Sequence, residues 1–236
     1  MIWFGIWRSE MTIYMFDFGN GLVAAHKHSN GDGWVADTAS VDDDTYVGRN
    51  AMVYGNAWVS GNATVSGYAQ VSGDVKISEN VLVCGDAKVS GNAQVSGDAV
   101  IYGNAWVTGY AQVTGDAMIS GTAKVSEKAE VTGDVMISGN AEVSGDAKVF
   151  GDVKVSGTAI VFGHAKVFGD AKVFGDAIVF GDAKVSENAK VYGDAKVYGN
   201  ALVYGDAWVY GDAWVSGDAK VFGDVKIYGT VNGEVK

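Results

Sequence analysis

From Val41 to Ile227 every sixth residue is aliphatic; of these 32 positions 27 are Val and 5 are Ile. No insertion interrupts the beat. Two residues before each aliphatic stands a small residue, Ala at 26 of the 32 positions. Thr45, Val75, Val81, Val135, Val153 and Val225 fill the others. Residues two apart on a strand share a face, so the small residue and the Val point inward together. The residues flanking the Val then face outward.

The slot two after each aliphatic is the corner. Between Gly55 and Gly229 it is Gly at 27 of 30 positions, with Glu79, Glu127 and Glu187 in the other three. Asp or Asn follows at 23 of the same 30. Gly before Asn or Asp is turn chemistry, because these residues accept positive φ or bond their own backbone. Each hexad is therefore one short strand and one corner, and three hexads make a triangular coil of 18 residues. About ten and a half coils, stacked at the ~4.8 Å spacing of paired strands, predict a prism on the order of 50 Å long.

The ends depart from the beat. Met11–Phe18 alternates as a strand, Gly19-Asn20-Gly21 reads as a turn, and Leu22–His28 as a second strand. With Trp3, Phe4, Trp7 and Trp34 these residues form an expected cap over residues 1–34, shielding the first coil's apolar end and strand edges. The repeat proper spans 35–229. Residues 230–236 are expected to form a tail or a short hairpin around Asn232-Gly233.

Composition narrows the class. The chain has 236 residues, 34 Gly and no Pro, so turns rest on Gly. Gly and Asp recur too often for any run to reach membrane-span length. The opening Met1–Arg8 lacks the features of a signal peptide and is read as retained, with Met11 as an alternative start. The single cysteine, Cys84, excludes an intramolecular disulfide and points to a reducing, cytoplasmic setting. A net charge of −11, with 15 Lys and 2 Arg, opposes a nucleic-acid grip over the whole surface.

The beat Val-x-Gly-(Asp/Asn)-Ala-x, with units such as Tyr54-Gly55-Asn56-Ala57, resembles the hexapeptide repeat of left-handed β-helix proteins. The likeness is greatest to bacterial and phage members rich in YGNA and SGDA units, and more distant to the hexapeptide acyltransferases. Gly33–Ala39 resembles the segment that leads into such repeats, and the likeness covers about residues 33–230. It implies an all-β, left-handed triangular solenoid. In the acyltransferases Gly often directly follows the aliphatic residue; here that slot is Ser, Thr, Tyr or Phe. A right-handed triangular helix, as in bactofilins, therefore stays open.

Counting by 18 gives the outward columns. The slot after the aliphatic is mostly Ser or Thr early (Ser60, Ser78, Ser96, Thr114, Thr132) and turns aromatic beyond residue 150. One column carries Phe150, Phe168, Tyr204 and Phe222; a second Phe174, Tyr192, Tyr210 and Tyr228; a third Phe162, Phe180 and Tyr198. These columns are read both as ladders that stabilise the sheets and as a contact surface. Lys148, Lys166 and Lys184 form one lysine row, and Lys154, Lys172 and Lys190 another. Corner carboxylates such as Asp152, Asp170, Asp176 and Asp194 balance them and oppose a phosphate chain. Trp208, Trp214 and Leu202 fall on one late coil and are the expected contact with a second copy.

Candidate chemistry is sparse. His164 occupies a corner slot between Asp146 and Asp182, and the resemblance to acyltransferases nominates it as a general base. The uninterrupted repeat lacks the loops that build a cofactor site in those enzymes. His26 and His28, with Asp32 or Asp37, are a candidate metal set, and Asp42-Asp43-Asp44 a weaker oxygen set. The sequence holds neither a phosphate loop nor a G-x-S-x-G nucleophile turn.

The resulting expectation is a non-catalytic, rod-like structural or binding module without cofactor, self-associating, with another protein as a further partner and neither nucleic acid nor membrane. The alternatives are an acyl-CoA-dependent acyltransferase and a phage-type protein that binds or mimics a host component.

Overall fold

The computed structural model describes residues 14–236. Its strands build three sheets of 14, 12 and 11 strands that run the length of the chain. The described residues contain no helix. Strands β3 (Trp34–Ala36), β4 (Ser40–Val41) and β5 (Tyr46–Val47) start the three faces, and β6 (Met52–Val53) returns to the first. Trp34 pairs with Met52, Ser40 with Trp58 and Tyr46 with Thr64, each eighteen residues on and all parallel. The triangular β-solenoid of about eleven turns is thus the fold, and the faces are called I, II and III in the order β3, β4, β5.

The inward pair is buried throughout. From Val47 to Val221 the aliphatic column is at most 1 % exposed, and every Ala at the small slot from Ala51 to Ala219 is sealed. Burying a Val is worth roughly 1.5–3 kcal/mol. The column is cooperative because each coil rests only on its neighbours. Backbone bonds climb from coil to coil on strands and corners alike: Trp58 N–H donates to Val75 O at 2.8 Å and Asn56 N–H to Gly73 O at 2.9 Å. Corner side chains add rungs, as in Asn80 Nδ2 to Asp98 Oδ1 at 2.7 Å. The three Glu that replace corner Gly share its left-handed backbone, with φ 69° at Glu79, 60° at Glu127 and 58° at Glu187.

Both ends are built differently from the middle. β1 (Tyr14–Asp17) and β2 (Leu22–Lys27) form an antiparallel hairpin whose second strand pairs antiparallel with β3, so the hairpin prolongs face I. Phe16 stacks on Trp34 at 4.3 Å and Phe18 on Tyr54 at 4.9 Å, which places these aromatics on the outer side of face I. The loop after β2 covers the edge of face III: Val47 N–H donates to Asn30 O at 2.9 Å, and Gly33 N–H to Val47 O at 2.8 Å. Trp3, Phe4 and Trp7, the other aromatics of the expected cap, lie outside the described residues.

At the far end the expected hairpin around Asn232-Gly233 does not form. Thr230–Val231 instead pairs parallel with Trp214–Val215, and Glu234–Val235 with Lys220–Val221. The offsets fall from eighteen to sixteen and then to fourteen, so the coil tightens by two residues at each step. An even shift keeps Val231 and Val235 on the inner face, and burial of those valines outweighs the local turn signal.

Candidate functional site

The outer columns are the feature that the fold sets up. Parallel, in-register strands place each side chain directly over the residue eighteen earlier. Beyond residue 150 this produces stacked aromatics on all three faces. Phe150 and Phe168 lie 5.0 Å apart at 5° on face II, and Tyr204 and Phe222 5.1 Å apart at 5°. On face III Phe174, Tyr192 and Tyr210 follow at 4.7 and 5.0 Å. On face I Phe162, Phe180 and Tyr198 follow at 5.1 and 4.9 Å. Interior rings are half-buried by their neighbours, whereas the end members Phe150, Phe162 and Tyr228 are exposed. Both ring-ladder stabilisation and an apolar surface are therefore present.

Tyr210 shows what the stacking does to chemistry. Desolvation, reinforced by the neighbouring Tyr228 phenol, pushes its phenol up to about 12 from the ordinary 10.

The expected late-coil contact is more covered than its composition suggests. Trp208 and Leu202 are half-buried and Trp214 is 44 % exposed. Lys190 lies 4.2 Å over the Trp208 ring and Lys196 4.9 Å over Trp214, so lysine stems shelter the indoles while their charges meet the ring faces. Larger exposures occur earlier in the chain. Tyr68 and Tyr110 stand out at 64 % and 61 %, and Trp58 at 52 %. The tyrosines occupy the slot after the corner Gly, where Asp or Asn is usual, and Trp58 the slot before the aliphatic. A scan of those slots for rings as well as for charge would have found them.

The lysine rows are real. Lys148, Lys166 and Lys184 pair in register on face II, and Lys154, Lys172 and Lys190 on face III. Lys148 is matched by Glu130 on the coil before, at 2.7 and 2.9 Å to the two carboxylate oxygens. The corner carboxylates Asp152, Asp170, Asp176 and Asp194 are exposed. An open groove of about 680 Å³ runs between the face II lysines and the corner that holds Asp146, His164 and Asp182. Within it His164 Nδ1 is 3.7 Å from Asp146 Oδ2, too far for a hydrogen bond, and the imidazole is 67 % exposed.

The candidate metal set does not assemble. β2 ends at Lys27, so His26 and His28 no longer share a strand face. His26 Nδ1 sits 2.8 Å from Asp37 Oδ1 in an exposed pair. His28 is buried, its Nδ1 3.3 Å from Asn30 N, which donates to it. Asp32 is exposed and takes a left-handed backbone, φ 61°. Among the described residues no group of three His, Cys, Asp or Glu side chains is placed to hold a metal ion. Cys84 is half-buried on face III, and desolvation raises its thiol pKa, which lowers its reactivity. No helix among the described residues is long and apolar enough to cross a membrane.

The strand pairing defines a hexapeptide-type β-solenoid. The "YdcK Beta solenoid repeat" family matches three segments of it, residues 57–73, 93–109 and 195–211. No match emerges among curated proteins. Among solved structures, the UDP-N-acetylglucosamine O-acyltransferase of Moraxella catarrhalis aligns at 12 % identity over 68 % of this chain and 69 % of that one, with a TM-score of 0.49. The UDP-N-acetylglucosamine acyltransferase of Francisella novicida aligns at 13 % identity over 67 % of this chain and 66 % of that one, with a TM-score of 0.37. Neither likeness bears on activity, and the architecture stands on the strand pairing itself.

Proposed function

We propose that this protein is a non-catalytic, rod-like binding module that works through its outer columns and associates with further copies of itself. The observation that carries the reading is the run of stacked rings on all three late faces, flanked by lysine rows and corner carboxylates. Such a surface combines rigid apolar edges with charge of both signs, a combination suited to protein contacts. The exposed Trp214 and Tyr228 place apolar area at the last coils, where a second copy would meet it. The exposed His164, 3.7 Å from Asp146 and held by no hydrogen bond to it, favours this reading over a general-base role.

Light scattering on the full chain tests it. The expected result is an oligomer that dissociates when Trp208 and Trp214 are both changed to Ser. An unchanged mass in that variant removes the late-coil contact, and a monomeric wild type removes self-association. A rise in thermal midpoint on adding acetyl-CoA would overturn the non-catalytic reading.

A further inference from the structure

Face II holds a gap one ring deep. Its aromatic column runs Phe150, Phe168, Ser186, Tyr204, Phe222. Phe150 stacks on Phe168 and Tyr204 stacks on Phe222, but between the two pairs the rung is Ser186. Strand register continues unbroken here, Val167 over Val185 over Val203, so Phe168 and Tyr204 stand two strand spacings apart, ~10 Å along the axis. A filled slot of the same kind is visible on both other faces. Tyr192 sits between Phe174 and Tyr210 at 4.7 and 5.0 Å, and Phe180 between Phe162 and Tyr198 at 5.1 and 4.9 Å. Beyond residue 174 no other column is interrupted between two rings.

Ser186 lies at the floor of this gap. It is 8 % exposed, whereas Ser60, Ser78 and Ser96, without ring neighbours in the same column, are half-buried. The flanking rings therefore shelter the floor while leaving the space above it unfilled by any side chain of the column. The next residue, Glu187, is exposed and takes the left-handed backbone that Gly takes at most corners, φ 58°. It adds a carboxylate at the rim on the corner side, where Asp206 accepts from Asn188 at 3.0 Å. Lys184, two residues before Ser186, faces outward on the same face at the far end of the strand.

We infer that the Ser186 gap is a binding slot for one planar aromatic ring that carries a hydrogen-bond donor on its edge. The ring would stack between Phe168 and Tyr204 in the place of the missing rung, its donor toward the acidic corner. Two ring faces are covered at once, in the offset stacked geometry that aromatic pairs prefer. The carboxylates at the corner discriminate against an anionic ring. The slot opens outward from face II and needs no second copy of the chain, so its test is separate from that of oligomeric state.

Indole is the probe, titrated into the full-length protein and followed by the proton shifts of the indole itself. The expected result is a saturable upfield shift with a Kd on the order of 1–10 mM, in keeping with two stacked faces and little else. Ser186→Phe, which completes the ladder from within, should weaken binding about tenfold or more and raise the thermal midpoint. Where Ser186→Phe does not fold, Tyr204→Ala removes one wall and should weaken binding about fivefold. Benzoate should bind more weakly than indole. An indole shift that fails to saturate in the wild type, or that persists in Ser186→Phe or Tyr204→Ala, overturns the slot. Benzoate binding as tightly as indole overturns its preference for a donor.

Discussion

Gly61 lies so close to the coil that follows that a Cβ built on it would stand 2.8 Å from the backbone nitrogen of Glu79. Its φ of 71° already disfavours any side chain. The corner therefore asks for Gly twice, once for its backbone angle and once for the space between coils. Gly211, with φ 62° and nothing within 4 Å of such a Cβ, asks only once. Gly61→Ala should cost about 3 kcal/mol and Gly211→Ala about 1 kcal/mol. Urea and thermal melts of the two variants check this, and equal losses would show that coil spacing at the corner is not limiting.

Glu79, Glu127 and Glu187 adopt the same left-handed corner with a side chain attached. A left-handed residue other than Gly carries roughly 1–2 kcal/mol of strain, part of which Gly returns as lost chain entropy. Each Glu→Gly change should stabilise the solenoid by about 1 kcal/mol. The coils are far enough apart for the three effects to add. A triple variant that melts below the wild type would mean that these carboxylates hold the corners in a way the geometry does not reveal.

Among the described residues Glu130 is the one acidic partner of the face II lysine row, bonded through both oxygens to Lys148. Both side chains are more than two-fifths exposed, so the pair belongs with surface ion pairs. A double-mutant cycle with Glu130→Gln and Lys148→Met should give a coupling of about 0.5 kcal/mol. Most of it should vanish in ~1 M salt, where the Debye length falls to about 3 Å. A coupling insensitive to salt would contradict the exposed geometry.

Tyr210 should titrate above the ordinary phenol range. Its folded-state pKa, about 12, lies above the ordinary 10 of the unfolded chain. Between those values the native state keeps a proton that the unfolded state has released. Its contribution is therefore fully present below pH 10 and is lost as pH rises toward 12. Ultraviolet titration should show a late phenol, and Tyr228→Phe should bring it down. An unchanged titration in that variant would remove Tyr228 as a cause.

The regular part of this molecule was open to sequence reasoning because one rule repeats. Val and Ala two apart fix which side faces in, and Gly with Asp or Asn fixes where the strand bends. Register then follows by counting, which is why the aromatic and lysine columns fall where eighteen-residue spacing puts them. What escaped the count was whatever broke the rule. The Asn232-Gly233 signal lost to the burial of Val231 and Val235, a nonlocal gain that no turn preference records. His26 and His28 parted because β2 ends between them, a boundary that alternation alone does not mark. Trp208 looked open in the sequence, yet Lys190 and Lys226 lie across its ring at 4.2 and 5.3 Å, and side-chain direction is not part of the hexad. Tyr68, Tyr110 and Trp58 were passed over because their slots were read only for charge.

In-register pairing gives the outside of this rod a fixed graduation, its stacked rings recurring at 4.7–5.1 Å on the late faces with one rung missing on face II, at Ser186. A partner whose own contacts repeat at that interval stays in step along the whole length, so its grip grows with every rung. One with a different interval drifts out of phase within a few rungs and gains nothing from the remainder. Selection by matching period requires no single strong contact, and it favours long, regular surfaces over small irregular ones.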